Sequence, residues 1–261
     1  MMLSWTLGGY PSPNLQVAHH FSKFPGASKQ SALDAIARGR YGVDAVPHAR
    51  GAWTEFSNAF REYPYSGSVL YNGPQQLGPA NLLYSEPTGY RSTMVGFPYD
   101  DIEGWRGPYP AKVLASQFEK VAVGWAVGLK QLEHVVEVAT GQRQGVAQRD
   151  LDVATAAQIH FASAANQTRF VLARDALASK ELEPAQRQAQ QQVLRRLLDE
   201  EIALARRLHT ITQRDSRIGF EASNQYYYVP LDLVEKVINC EFIGQSLLPP
   251  KRLSRPKRPR R

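Results

Sequence analysis

The sequence predicts a mainly α protein, an antiparallel bundle of long helices that carries a Gly/Pro/Tyr-rich loop segment and a short N-terminal strand. Three observations predict it. After Pro110, apolar residues recur at helical spacing through three long segments joined by short polar connections. Between Pro64 and Pro110 that periodicity disappears under a high density of turn-forming residues. The opening LSWTLGGY crowds its apolar residues around two glycines without helical spacing, the pattern of a buried strand running into a turn.

Each element has a local reason. Ser12 and Pro13 match an N-cap and first-turn pair, so a short helix is expected over residues 14–24, ended by Pro25 and Gly26. Residues 31–40 give a second, with Leu33, Ile36 and Ala37 on one face and a stop near Gly42. In RGAWTEFSNAFREYP, Trp53, Phe56 and Phe60 fall at i, i+3 and i+7, so three aromatics share a face of a helix that stops at Pro64. Residues 64–110 hold seven glycines, seven prolines and eight aromatics, which favours defined turns, with short strands at most near 68–71 and 92–97.

The long segments are expected over residues 111–139, 149–178 and 184–214. Their apolar stripes are Val113, Val121, Trp125, Leu132 and Val136 in the first, then Leu151, Ile159, Ala162, Phe170 and Leu177 in the second. Val193, Leu197, Leu204, Leu208 and Ile211 form the stripe of the third. Short connections such as TGQRQG and SKELE make consecutive helices antiparallel neighbours, and a last helix over residues 231–242 completes the bundle. The organisation is thus 1–110 (strand, short helices and loops), 111–250 (helical bundle) and 251–261 (a disordered basic tail).

Composition excludes several classes. With 43% hydrophobic residues over 261 positions the chain has enough apolar material for a core, so disorder throughout is excluded. No run approaches the roughly 18 consecutive apolar residues of a membrane span. The start has no basic region, and Gly8, Gly9 and Pro11 break its apolar stretch, so no secretory signal is visible and the compartment stays unassigned. One cysteine, Cys240, excludes an intrachain disulfide framework; its place in LDLVEKVINCEF reads as a core thiol.

The formal charge of +7 is carried entirely by the end of the chain. Lys251, Arg252, Arg255, Lys257, Arg258, Arg260 and Arg261 account for seven of the 31 basic residues, leaving 24 against 24 acidic ones before them. A neutral body gives no electrostatic footprint for nucleic acid. The tail itself reads as a solvated end, or as a contact for RNA, anionic lipid or an import receptor. Oligomeric state is not legible.

Reactive signatures are sparse. There is no P-loop, dinucleotide turn, H-E-x-x-H helix or G-x-S-x-G elbow, and no cofactor is expected. His19 and His20 point about 100° apart on a helix, and His48, His134, His160 and His209 are scattered, so no metal site is expected.

The densest constellation lies in the loop stretch. Tyr71, Tyr84, Tyr90, Tyr99, Trp105 and Tyr109 offer flat faces, while Asn72, Gln75, Gln76, Asn81, Arg91, Asp100 and Asp101 offer donors and acceptors. Sugars present apolar C–H faces ringed by hydroxyls, so a carbohydrate ligand suits this mixture; the same residues equally suit packing of the loop onto the bundle. Asp100 and Asp101 invite a general acid/base proposal, with Glu86 or Glu103 as partner. Adjacent side chains diverge, however, whereas glycosidases need carboxylates about 5 to 10 Å apart across one bond. Turn-forming or helix-capping is the competing role. A second cluster, DSRIGFEASNQYYY, brings Asp215, Arg217, Glu221 and Asn224 together; it reads either as a ligand site at the bundle end or as a salt-bridged cap. The Asn166–Thr168 sequon falls inside a helix and reads as accidental.

The phrases WTLGGYPSPNL, GPANLLYSEPTGY, MVGFPYDD and DSRIGFEASNQYYY resemble segments of bacterial glycoside-hydrolase-like proteins, in which a (β/α)8 barrel precedes a helical C-terminal region. The resemblance covers most of the chain before the tail. It implies that LSWTLGGY corresponds to a late barrel strand, whose C-terminal end faces the active site, so that Trp5 and Tyr10 contact substrate. It carries over no catalytic residue. A barrel takes about 250 residues, so the resemblance implies that the catalytic carboxylates lie upstream and that this chain is an accessory part.

Overall fold

The computed structural model describes residues 12–72, 78–93, 100–179, 181–219 and 228–248. Among these residues nine α-helices and one 3-10 turn form, and no strand. The helices are α1 (Pro13–Lys23), α2 (Lys29–Tyr41), α3 (Val46–Phe60), α4 (Gly67–Tyr71), α5 (Ile102–Trp105), α6 (Ala111–Val138), α7 (Gln142–Ala178), α8 (Pro184–Arg214) and α9 (Pro230–Leu247), and the 3-10 turn is Gly78–Ala80. The mainly α bundle read from the periodicity is the fold observed.

Side-chain caps set many of the starts. Ser12 Oγ accepts the Asn14 N–H at 3.2 Å and Ser28 Oγ that of Ser31 at 3.1 Å. At the head of α8, Gln186 Oε1 reaches back to accept the Glu183 N–H at 3.3 Å. Gly42, at φ +104°, ends α2 in a conformation that L side chains rarely adopt.

The helices α6, α7 and α8 run up, down and up, with α9 packed on α8 and α3 laid along α6. The last contact is close because α6 carries glycines there. A Cβ on Gly128 would lie 2.5 Å from the Phe56 ring, and one on Gly124 would lie 2.9 Å from Ala59 Cβ. The main core gathers Ile159, Phe170, Leu194, Leu197, Leu208, Leu233 and Ile243 from α7, α8 and α9, and Leu83 and Trp105 of the loop stretch join it. A second core joins α2 and α3 to α6 and the first half of α7 through Tyr41, Ala49, Ala52, Leu132, Val135 and Ala147. A small third core sits under α4, around Val69, Leu114 and Phe118. No helix among the described residues is long and apolar enough to cross a membrane.

Several expected boundaries shift. Helix α7 begins seven residues earlier than the 149 expected, so the connection after α6 is Ala139 to Gly141, turned by Gly141 at φ +58°. The polar QRQG therefore belongs to a helix, secured where Ala147 is buried and Asp150 pairs with Arg40 of α2. Residues 68–71, expected as a strand at most, lie in α4, because Ser66 Oγ caps the Val69 N–H at 3.1 Å. Val113 is 44% exposed while Leu114 is buried, a one-position error in the phase of α6. Phe60 is also outward, at 50% exposure, although Phe56 stacks on Trp125 at 4.5 Å between ring centroids. Helix α9 continues five residues past the expected 242. The expected N-terminal strand, residues 94–97 of the second expected short strand and the basic tail lie outside the described residues.

Candidate functional site

A loop without periodic structure cannot satisfy its own backbone polar groups, so their partners must come from elsewhere. For the stretch after Gly78 they come from the bundle. Arg174 of α7 is buried, and its Nη1 donates to the carbonyls of Tyr84 at 3.2 Å and Glu86 at 3.3 Å and to Asp100 Oδ2 at 3.0 Å. Asp100 also accepts the Thr88 N–H at 2.9 Å and the Thr88 hydroxyl at 2.5 Å. From α9, Asn239 Nδ2 donates to the Leu83 carbonyl at 2.9 Å, and its Oδ1 accepts the Leu83 N–H at 2.8 Å.

Beneath these contacts lies a fully enclosed polar seam. Lys236 of α9 and Glu201 of α8 form an ion pair at 3.0 Å with both side chains 0% exposed. Lys236 Nζ also donates to the Asn81 carbonyl. Glu201 accepts from Ser163 Oγ at 2.8 Å and Asn166 Nδ2 at 3.2 Å, which gives the residues of the sequon a structural use. Gln167 continues the seam, accepting from Asn81 Nδ2 at 3.1 Å and donating to the Gly78 carbonyl at 2.7 Å. Gly78 stands at φ +48°, and a Cβ there would run into the His160 ring, so two constraints require glycine.

The sequence-derived site residues therefore separate into groups. Asn81 is 0% exposed, and Trp105, 1% exposed, donates Nε1–H to Ser92 Oγ at 2.7 Å. Neither offers a face to a ligand, which corrects the expectation for these two. Asp101 caps α5, accepting the Gly104 N–H at 3.2 Å and the Ser92 N–H at 3.0 Å. Asp100 is the loop-side partner of Arg174. The donors on these two carboxylates come from the protein itself, as the packing and capping roles require, and they leave no acid/base pair. Arg217 folds onto Asp215 at 2.8 Å and 2.6 Å, and Arg217 holds the Asp215 carboxyl below its ordinary range. Trp5, Tyr10, Tyr99, Glu221 and Asn224 lie outside the described residues.

What stays open is a surface around α5. On one side α4 and its approach carry Tyr65 and Tyr71, 70% and 54% exposed. Tyr109 ties this side down by donating its hydroxyl to the Tyr65 carbonyl at 3.0 Å. On the other side the Asp101 and Trp105 contacts fix Ser92, and just before it Tyr90 is 69% exposed beside an exposed Arg91. On α5 and just after it, Glu103 and Arg106 pair at 2.9 Å and 2.6 Å on the surface. The hydrogen bonds from Arg106 hold the Glu103 carboxyl below its ordinary range, so it stays ionised and supplies an acceptor, not a proton.

The residues that build the site but were missed by sequence reading share a signal. Glu201 falls among Leu197, Leu204 and Leu208, and Lys236 between Leu233 and Cys240, each at the spacing of a core stripe. Arg174 likewise sits between Phe170 and Leu177. A charge in phase with an apolar stripe marks a buried partner in wait. Among the described residues no group of three His, Cys, Asp or Glu side chains is placed to hold a metal ion. In comparisons with known proteins the chain matches no family model, no curated protein and no solved structure.

Proposed function

We propose that the chain is the C-terminal part of a carbohydrate-active, glycoside-hydrolase-like protein, and that the surface around α5 contributes to glycan binding without completing a catalytic site. The observation that carries this reading is Tyr90 beside Arg91, open to solvent on a segment held by the buried Arg174 and by Asp101. A flat exposed ring accepts the C–H face of a sugar, and a neighbouring guanidinium donates to hydroxyls. Tyr65 and Tyr71 extend the same chemistry across α5. The occupied Asp100 and Asp101 fit an accessory role, because glycosidic cleavage needs two available carboxylates flanking one bond.

Calorimetric titration against a glycan panel tests it. Binding is expected to fall at least tenfold in Tyr90→Ala and less in Tyr71→Ala, with the fold intact. Trp105→Ala is unsuitable as a probe, since it removes a core side chain. A folded chain that binds no glycan, both alone and extended by residues encoded upstream, refutes the reading. A second reading, a helical scaffold that binds protein, is favoured by an apolar stripe on the outer face of α9.

A further inference from the structure

Helix α9 has two apolar faces. Leu233, Cys240 and Ile243 point inward and are buried with Lys236. On the opposite face Leu231, Val234, Ile238 and Phe242 are 74%, 42%, 64% and 63% exposed. Their spacing of three, four and four positions makes a single outward stripe roughly 16 Å long at 1.5 Å per residue. Beside it a groove of about 390 Å³ runs between α8 and α9, lined by Val234, Val237, Ile238, Ala205, Arg206 and His209. A solvated helix does not need four large apolar side chains in line, and such a stripe marks a surface that is covered.

The charges around the stripe restrict what covers it. Glu235 and Glu241 are exposed and Asp232 half-buried, while the one basic residue of α9, Lys236, is buried on Glu201. The rim that α9 itself supplies is thus acidic, while Arg206 and His209 of α8 face the stripe across the groove. The surplus positive charge of the chain begins at Lys251, three positions after Leu248, with seven basic residues through Arg261.

We propose that the outer face of α9 is an interface with a second copy of this chain, the two α9 helices packing antiparallel about a two-fold axis. Reversal maps the stripe onto itself: Leu231 meets Phe242 of the partner subunit, and Val234 meets Ile238 of the partner subunit, as an isologous contact requires. The groove supplies holes for the incoming side chains, in the knobs-into-holes manner of paired helices. Charge selects the orientation. Antiparallel packing brings the C-terminal end of each α9, after which the basic residues follow in sequence, beside Asp232 and Glu235 of the partner subunit, whereas parallel packing would set two C-terminal ends of like charge side by side. An anionic bilayer is the poorer occupant, because helices that lie on such surfaces carry Lys and Arg along their edges, and this edge is acidic. The proposal stands independently of the glycan reading.

Light scattering of the full chain over a concentration series is expected to show a mass rising from 29.2 kDa toward twice that value. Ile238→Glu puts a charge at the centre of the stripe and is expected to hold the mass at the monomer value. Because Ile238 is 64% exposed, its circular dichroism should match that of the parent. Under mild oxidation the double variant L231C/F242C is expected to cross-link between chains, and F242C alone is not. Cys240 does not interfere, being buried, with its thiol pushed up to about 12 by that burial. A monomer at every concentration, a dimer indifferent to Ile238→Glu, or a stripe that binds anionic vesicles while the chain stays monomeric overturns the proposal. Cross-linking of F242C alone overturns the antiparallel geometry.

Discussion

Near the start of α7, Asp150 is gripped by Arg40 of α2; under the loop, Glu201 of α8 meets Lys236 of α9. Both ion pairs are buried, and they solve burial differently. Arg40 approaches as a fork, Nε at 2.8 Å and Nη2 at 2.7 Å, and Tyr41 adds its hydroxyl at 2.6 Å, so the carboxylate is satisfied by two adjacent residues of α2. Lys236 is a point charge that cannot fork. Its donors divide between Glu201 and the Asn81 carbonyl, and Glu201 completes its shell from Ser163 and Asn166. One pair locks helix to helix. The other joins the core to the loop that carries the candidate site, so damage there should travel outward.

The sharpest way to break this comparison is Lys236→Met. It leaves the Glu201 carboxyl without its cation at 0% exposure and should cost about 3 to 5 kcal/mol in denaturant unfolding. The amide of Leu83, held by Asn239 one turn along α9, should also exchange faster. Arg40→Met should cost somewhat less, about 3 kcal/mol, since Tyr41 still serves Asp150 and the pair is 5% and 7% exposed. Exchange at Leu83 should not change in that variant. Equal acceleration of Leu83 by both would show that the two pairs do not differ in reach.

Gly78→Ala probes the same link from the loop side. Positive φ and the nearby His160 ring together should cost about 2 kcal/mol, and the loss should show chiefly as faster exchange around residues 78–83. Tyr41→Phe is smaller, about 1.5 kcal/mol for one hydrogen bond to a charged group that keeps its Arg40 contacts. It also changes the alkaline limb. Burial first and Asp150 second raise the Tyr41 phenol above its ordinary value, and burial pushes Tyr63 up to about 12. A raised phenol stabilises the fold fully below the unfolded value near pH 10 and loses that contribution as pH climbs above it. Stability of the parent should therefore start to fall above about pH 9, where an unfolded thiol ionises, and less steeply above about pH 10 in Tyr41→Phe, with Tyr63, Tyr84 and Cys240 supplying the remaining slope.

These contrasts also explain what the sequence made legible. The bundle was readable because apolar spacing is a property of each helix by itself: Leu197, Leu204 and Leu208 declare their face without reference to any neighbour. The start of α7 was not, because QRQG looks like a linker until Arg40 of another helix claims Asp150. Composition alone marks the loop as a region of interest and does not sort its individual residues into buried and exposed. Composition cannot tell Trp105, whose indole is sealed against Ser92, from Tyr90, two positions before that serine and open to solvent. What separates them is Asp101 folding the chain back on itself, a long-range closure that no local pattern encodes.

Tyr90 gives the smallest expected change in stability and the most direct test of which residues face outward. At 69% exposure its ring contributes little to packing, so Tyr90→Ala should alter unfolding by no more than about 0.5 kcal/mol. If the surface around α5 takes a sugar, the same substitution should remove most of the binding, since a stacking ring acts in the complex and hardly at all in the free chain. Lys236→Met should do the reverse: a large loss of stability, with binding reduced only in proportion to the fraction of chains whose loop has come loose. If Tyr90→Ala costs stability and leaves binding intact, the open ring belongs to the scaffold, and the division between a stapled underside and a recognising outer face fails.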